Sequence, residues 1–268
     1  MDTICFVGTG GGRMATITQL RKTAGIFLEL KGAKIYLDPG PGAIVHARAE
    51  KLPLEKIDCV LLSHKHIDHT NDAEVLIEAM TKGVRENKGI LAAPKSTISE
   101  LTEYHQAAPK KIIKIKPGDK FNIGDLNIES TKTTHTDKDG VGFKFFASKK
   151  ISYVGDTVYS KDIARQHKGA DILILNCLYL VNDNKGKDVE FAKHMDLADA
   201  IKFVRDIKPK LCILQHFGMG MILKKPWEKA KEVEDATGVK TIAARDGQVF
   251  DVSGTIKKET KGLEKFAS

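Results

Sequence analysis

Between Leu61 and Thr70 the chain reads LLSHKHIDHT, with three histidines and an aspartate inside the six positions from His64 to His69. The whole chain has nine histidines in 268 residues, so a third of them sit in one short turn. The apolar run CVLL just before them reads as a buried strand. A fold that accepts this segment must carry the strand's end to a rim where polar side chains can converge. In a tight turn His64 and His66 can point to one side, and Asp68 and His69 to an adjacent position. Imidazole and carboxylate are ligand types for a divalent transition metal. One ion does not need four ligands from so short a loop. Two neighbouring ions do, and they need further ligands from elsewhere.

Candidates stand at the ends of other strand-like runs. His135 ends ESTKTTH, Asp156 ends ISYVGD and His216 ends LCILQH. Taken singly, each has an ordinary alternative: a polar strand end, a turn aspartate, a buried hydrogen-bonded histidine. Those alternatives weaken once the HxHxDH loop requires partners. His46, His105 and His167 lie in helical or surface-like contexts and read as structural.

Short runs rich in Ile, Val and Phe alternate with helix-like patterns. ICFVG, GIFLEL and KIYLD predict three opening strands. AIVHARAEK predicts a short helix, and DAEVLIEAMTKG a helix closed by Gly83. GILAA reads as a strand and STISELTEYHQ as a helix capped by Ser96. Five strands follow, over KIIKIK, FNIGD, LNIESTKTT, VGFKFFA and KISYVGD, separated by turns at PGD, IGD and KDG. A helix at SKDIARQHKG and a strand at DILILN come next. DLADAIKFVRDI predicts a helix with Asp196 as N-cap and Asp199 in its first turn. LCILQH is a strand, and PWEKAKEVEDATG a helix with Pro226 in its first turn and Gly238 past its end. KTIAA and GQVFDV close the sheet. The order suggests two similar halves, so two sheets face to face with helices outside would cover both apolar faces. Residues 1–255 read as one domain and 256–268 as a polar tail.

Composition sets the class. Hydrophobic residues make up 41% and charged residues 29%, ordinary for a soluble globular protein. The excess of 43 basic over 35 acidic side chains gives +8. This favours an anionic partner, a phosphorylated small molecule or RNA or DNA, although lysines spread along the chain can equally be solvated surface. Cys5, Cys59, Cys177 and Cys212 all lie in apolar runs and form no CxxC pair. They read as reduced thiols of a cytoplasmic protein. No signal-peptide pattern opens the chain, and no run approaches the roughly 20 apolar residues of a membrane span.

These motifs resemble those of the metallo-β-lactamase fold superfamily. YLDPGPG is similar to its first motif, SHKHIDH to its second, TTH to its third, GDT to its fourth and QHFG to its fifth. The resemblance spans nearly the whole chain. It implies an α/β architecture, an αββα sandwich of two mixed β-sheets flanked by helices, with a metal centre at the sheet rim. By position it implies that His64, His66 and His135 hold one divalent metal ion, that Asp68, His69 and His216 hold a second, and that Asp156 bridges the two. Asp38 would be the buried aspartate that supports the metal loop. Zn2+ is the first choice for both ions, with Mn2+ and Fe2+ as alternatives.

The opening FVGTGGGR resembles the start of the ribonuclease Z group and its cyclic-phosphodiesterase relatives. Its glycines permit close backbone approach, and a plain tight turn is the alternative reading. No Gly-Lys-Ser/Thr follows, so it is not a Walker A loop. His194 stands just before a helix, where the resemblance implies a histidine that protonates the leaving group. Ribonuclease Z enzymes usually insert a tRNA-binding arm between the third and fourth motifs. Here the 21 residues from His135 to Asp156 leave room only for a hairpin. This spacing resembles the phosphodiesterase that opens a phosphoribosyl cyclic phosphate, whose cysteine-rich zinc site has no counterpart here.

The expected function is a metal-dependent hydrolase, a dinuclear phosphodiesterase for a small or cyclic phosphodiester. Two metal ions would lower the pKa of a water between them towards about 7. Asp68 would orient that water as well as ligate, and His194 would serve as acid. A nuclease, or a lactonase or thiolesterase on the same centre, is the alternative. Homo-oligomers are compatible with all of these.

Overall fold

The computed structural model describes residues 1–181, 193–253 and 256–258. Its strands are β1 (Thr3–Phe6), β2 (Ile26–Leu30), β3 (Ala33–Leu37), β4 (Cys59–Leu61), β5 (Ile90–Pro94), β6 (Lys111–Ile115), β7 (Lys120–Ile123), β8 (Leu126–Lys132), β9 (Val141–Phe146), β10 (Lys150–Tyr153), β11 (Ile172–Asn176), β12 (Leu211–Gln215), β13 (Thr241–Ala243), β14 (Gln248–Asp251) and β15 (Ile256–Lys258). They form two mixed sheets. One runs β15-β14-β1-β2-β3-β4-β5-β6 and the other β13-β12-β11-β10-β9-β8-β7.

The period-two patterning places the layers. In β1, Ile4 and Phe6 face the space between the sheets while Cys5 faces a helical layer. In β4, Cys59 and Leu61 face inward and Val60 outward. The inter-sheet core joins Leu28, Leu37 and Leu61 to Phe143, Phe145, Tyr153 and Ile174. The outer face of the first sheet is covered by helices Ala43–Ala49 and Ala73–Thr81. Helices Lys161–Gln166, Leu197–Ile207 and Pro226–Thr237 cover the second. Phe143 is fully buried, so truncating it to Ala costs about 3–5 kcal/mol. The four layers are the αββα sandwich that the sequence predicts.

Strand direction creates the rim. β3, β4, β5 and β6 are parallel, as are β10, β11, β12 and β13. β8 runs with β10, because each pairs antiparallel with β9. Asp38, His64, His135, Asp156 and His216 therefore all follow strands that end at one edge of the sandwich.

Three local features depart from the expectations or add to them. STISELTEYHQ is not one helix: Lys95–Ile98 and Glu103–Ala107 are separate, and Thr102, not Ser96, caps the second. GRMATIT, to which the sequence reading gives no element, forms a helix over Gly12–Thr18. β14 returns to the first sheet beside β1, and β15 pairs with β14. The sheet thus extends into the stretch read as a polar tail, and the rest of that tail lies outside the described residues.

Candidate metal centre

The HxHxDH segment is not a single turn. β4 ends at Leu61, three residues before His64, His66 stands in extended backbone, and Ile67–Thr70 forms one helical turn. That break puts His64 and His66 on one side and Asp68 and His69 on the other. Neighbouring backbone presses close. A Cβ on Gly40, in the turn after β3, would lie 2.1 Å from the carbonyl oxygens of both Asp68 and Thr23, so only glycine fits there.

All seven expected ligands and His194 converge. His64, His66 and His135 offer nitrogen atoms within 4.8 Å of one another, as do the donor atoms of Asp68, His69 and His216. Asp156 Oδ2 stands between the groups, 3.2 Å from His69 Nε2, 3.3 Å from His216 Nε2, 3.7 Å from His64 Nε2 and 3.9 Å from His135 Nε2. His194 Nδ1 is 3.5 Å from the same oxygen. The donor atoms of His135, Asp156 and His194 also lie within 4.8 Å of one another, so His194 stands as close as a ligand would.

The free nitrogen of each imidazole is set by what its other nitrogen meets. His69 Nδ1 lies 3.0 Å from Asp38 Oδ2, and His135 Nδ1 donates to the Lys193 carbonyl at 2.8 Å. His64 Nδ1 is 3.0 Å from Ser63 Oγ. Each therefore turns Nε2 into the cluster. His66 is reversed, with Nε2 2.9 Å from Thr136 Oγ1 and Nδ1 turned inward. Such partners fix tautomer and ring orientation around a metal. Asp156 is held the same way: Asn176 Nδ2 donates to its Oδ1 at 2.6 Å, and Gln215 Nε2 donates to Asn176 Oδ1 at 2.5 Å.

This donor set fits divalent cations on a direct observation. His64 Nε2, His69 Nε2, His216 Nε2 and Asp156 Oδ2 are buried and lack hydrogen-bond partners. An unsatisfied buried polar atom costs about 1–3 kcal/mol, and here four face one another. Metal coordination would satisfy them together. Backbone strain points the same way. Asp38 and His216 adopt the left-handed region at φ 52° and 59°, which costs of order 1–3 kcal/mol for a residue with a side chain.

Electrostatics follow from burial and neighbours. Desolvation holds His64 well below the usual imidazole range and His66 at about 4. Burial also lowers His135, and it lowers His194 to about 3 although Asp156 opposes it. His69 goes the other way: burial works against its charge, but Asp156, Asp68 and Asp38 outweigh it. Burial would raise the Asp156 and Asp68 carboxyls, yet His216 and His69 bring both down. A buried carboxylate beside imidazoles that burial holds towards the neutral form, at His64, His135 and His194, is a cation site in charge as well as shape.

Sequence reasoning missed the supports. Asn176 and Gln215 end apolar strands, and that polar residue closing an apolar run is the available signal. Asp137 is buried and accepts from the Lys65 amide at 3.1 Å and from Ser96 Oγ at 3.0 Å, tying the metal loop to the His135 loop. The Gly12 amide donates to Asp68 Oδ2 at 2.7 Å. The glycine-rich opening thus packs against the centre, as its close-approach reading requires.

Fold and centre together define a metal-dependent hydrolase. A family model described as Beta-lactamase superfamily domain matches residues 33–217, and the chain belongs to that family. An uncharacterized protein of Methanocaldococcus jannaschii is 32% identical over 254 residues, covering 91% of this chain and 92% of its own. Ribonuclease Z of Thermococcus kodakarensis is 25% identical over 304 aligned residues, covering 93% of each chain. Among solved structures, the metallo-β-lactamase fold protein YhfI of Bacillus subtilis superposes with a TM-score of 0.78 at 21% identity, over 93% of this chain and 98% of its own. No helix among the described residues is long and apolar enough to cross a membrane.

Proposed function

We propose that the chain is a dinuclear phosphodiesterase for a small or cyclic phosphodiester, with residues 1–255 as its catalytic domain. His64, His66 and His135 would hold one divalent cation, and Asp68, His69 and His216 the other, with Asp156 shared. Zn2+ suits this donor set best, and Mn2+ or Fe2+ would also be accepted. When bound, such a pair supplies a water of lowered pKa and neutralises charge developing on the phosphoryl oxygens.

The chain's own groups supply the rest. Asp38 and Asp137 hold the metal loop in place. Asp156, fixed by Asn176, keeps the two halves in register. His194 completes the set: its Nδ1 stands 3.5 Å from Asp156 Oδ2, and its side chain keeps 12% exposure where the Asp156 side chain keeps 1%. It can reach a leaving oxygen, and the negative charge of a bound phosphodiester would oppose the burial that lowers its pKa and restore the proton it must give up. Protonating a poor alkoxide leaving group is typically worth about 10²–10⁴-fold. That position of His194 beside the two ligand triads is the observation that carries the reading. β9 and β10 fill the interval between His135 and Asp156, which favours a small substrate.

A nuclease is the second reading, favoured by the likeness to a ribonuclease Z. The test is elemental analysis of protein purified without added metal, joined to turnover on a panel of cyclic and linear phosphodiesters, RNA and lactones. Two metals per chain with preference for small phosphodiesters supports the proposal. Preference for RNA selects the nuclease, and preference for lactones overturns the phosphodiesterase reading.

A further inference from the structure

The two halves of the centre are braced unequally. Residues Thr9–Gly12 form a strap against one half, at His216 and Asp68. The Thr9 carbonyl accepts from the Phe217 amide at 2.8 Å, and the Gly11 amide donates to the Phe217 carbonyl at 3.1 Å. Phe217 directly follows His216. The His216 ring lies on Gly11, where a Cβ would come within 2.3 Å of three ring atoms. One residue on, Gly12 donates to Asp68 Oδ2. The strap thus fixes His216 and Asp68.

The strap is anchored from the far end of the chain. Asp246 lies in the turn between β13 and β14, where the backbone crosses from one sheet to the other. Its Oδ1 accepts from the Thr9 amide at 2.9 Å and from Thr9 Oγ1 at 2.6 Å, and its Oδ2 accepts from the Lys22 amide at 2.9 Å. Thr9 is fully buried. Arg21 Nη1 donates to Thr9 Oγ1 at 3.1 Å and to the Ala244 carbonyl at 3.3 Å. Its guanidinium carbon sits 5.8 Å from the Phe217 ring centroid. Hydrogen bonds to a charged carboxylate are the strong kind, and here three converge on one side chain.

We propose that Asp246 is a positioning residue for the Asp68–His69–His216 half of the metal centre, acting through the Thr9–Gly12 strap on His216 and Asp68. The proposal rests on the two-metal reading. Losing a partner that orients ligands typically costs about 10–100-fold in metal affinity, and here the loss falls on one ion only.

The experiment compares the wild-type chain with Asp246→Asn, Asp246→Ala and Asp246→Glu. Asn replaces one acceptor with a donor that opposes the amides of Thr9 or Lys22, while Glu keeps the charge. Zn2+ binding is titrated against a chromophoric chelator to give two constants, and bound metal is counted by elemental analysis. Backbone amide exchange is followed on metal-free protein. The Asn and Ala variants should weaken one constant about 10–100-fold and leave the other unchanged. Exchange at Gly11 and Phe217 should quicken while Leu62 and Ser63, whose amides donate to Ala92 and Asp38, keep their protection, and Glu should restore part of both effects. Equal weakening of both constants, or unchanged binding with unchanged exchange, overturns the proposal. A wild-type chain that binds no Zn2+ overturns the two-metal reading, and the exchange pattern still decides whether Asp246 holds the strap.

Discussion

The Tyr153 hydroxyl donates to Asp38 Oδ2 at 2.7 Å, a hydrogen bond between the two sheets directly beneath His69. Asp38 also accepts from the Ser63 amide at 2.7 Å and Ser63 Oγ at 2.6 Å. One carboxylate from the first sheet therefore orients a metal-loop imidazole while a phenol from the second sheet holds that carboxylate. Tyr153→Phe keeps the packing and deletes one hydrogen bond to a charge, worth about 1.5–3 kcal/mol. We expect a loss of that order in urea-unfolding free energy with an unchanged m-value, and about a 10-fold or greater loss in metal affinity. Unchanged metal affinity would mean that Asp38 holds His69 without help from the second sheet.

Among the described residues, Asp156 is the only carboxylate whose one oxygen lies within 4 Å of His64, His69, His135, His194 and His216. Asp156→Ala removes it from both halves. Elemental analysis should find fewer than two metals per chain, and phosphodiester turnover should fall with it. A fully loaded, active variant would remove the shared-ligand role.

Much of this centre was legible because ligands at a sheet rim must sit where strands stop, and strand ends show in the sequence as apolar runs broken by a polar residue. His64, His135, Asp156 and His216 all obey that rule. The supports did not show for the same reason. Asn176 and Gln215 also close apolar runs, but amides have many structural uses, and nothing in one chain says they meet across two parallel strands. The helix Gly12–Thr18 escaped because GRMATIT is short, glycine-led and carries two threonines and an isoleucine, all weak helix formers. Its first residue is tied to the centre by the Gly12 amide on Asp68 Oδ2, and Ala15 is its one buried side chain. Ser96 read as a cap because Ser before an apolar pattern usually is one, yet its hydroxyl goes to Asp137. Asp246 gave no local signal, since its partners Thr9 and Lys22 lie at the other end of the chain.

Gly11 permits a purely steric test. Its backbone is extended, at φ −154° and ψ 162°, so alanine brings no conformational strain there. The added methyl would instead meet the His216 ring at 2.3 Å. Gly11→Ala should fold with near-normal circular dichroism, displace His216 and lose the ion proposed for Asp68, His69 and His216. Crystallography with metal counting reads both effects. Full occupancy with His216 in place would show that the strap yields instead of the ring.

His194→Ala separates acid from ligand. If His194 protonates the leaving group, metal content stays at the wild-type value while turnover of an alkyl phosphodiester falls about 10²–10⁴-fold. An aryl phosphodiester, whose phenolate leaves unaided, should lose far less. Metal loss in the variant would instead make His194 a ligand, consistent with its grouping beside His135 and Asp156. Unchanged turnover on both substrates would remove the main support for phosphodiester chemistry.

One buried histidine stands outside the centre. His167 is fully buried behind the second sheet, with Nδ1 2.5 Å from Ser152 Oγ, its ring beside Phe203 and its Nε2 without a partner. Desolvation, helped by the charge of Lys144, lowers its pKa from 6.5 to about 3. A base whose folded pKa is depressed stabilises the fold while neutral, so its contribution is complete above pH 6.5 and is lost as pH falls from there towards 3. The slope in that window is about 1.4 kcal/mol per pH unit. Between pH 7.5 and pH 5 the metal-free wild-type chain should therefore lose about 2 kcal/mol more unfolding free energy than His167→Asn, whose amide can keep the contact with Ser152 and takes up no proton. Urea titrations at the two pH values measure this directly. Parallel losses in both proteins would mean that His167 already finds water or a partner for its second nitrogen.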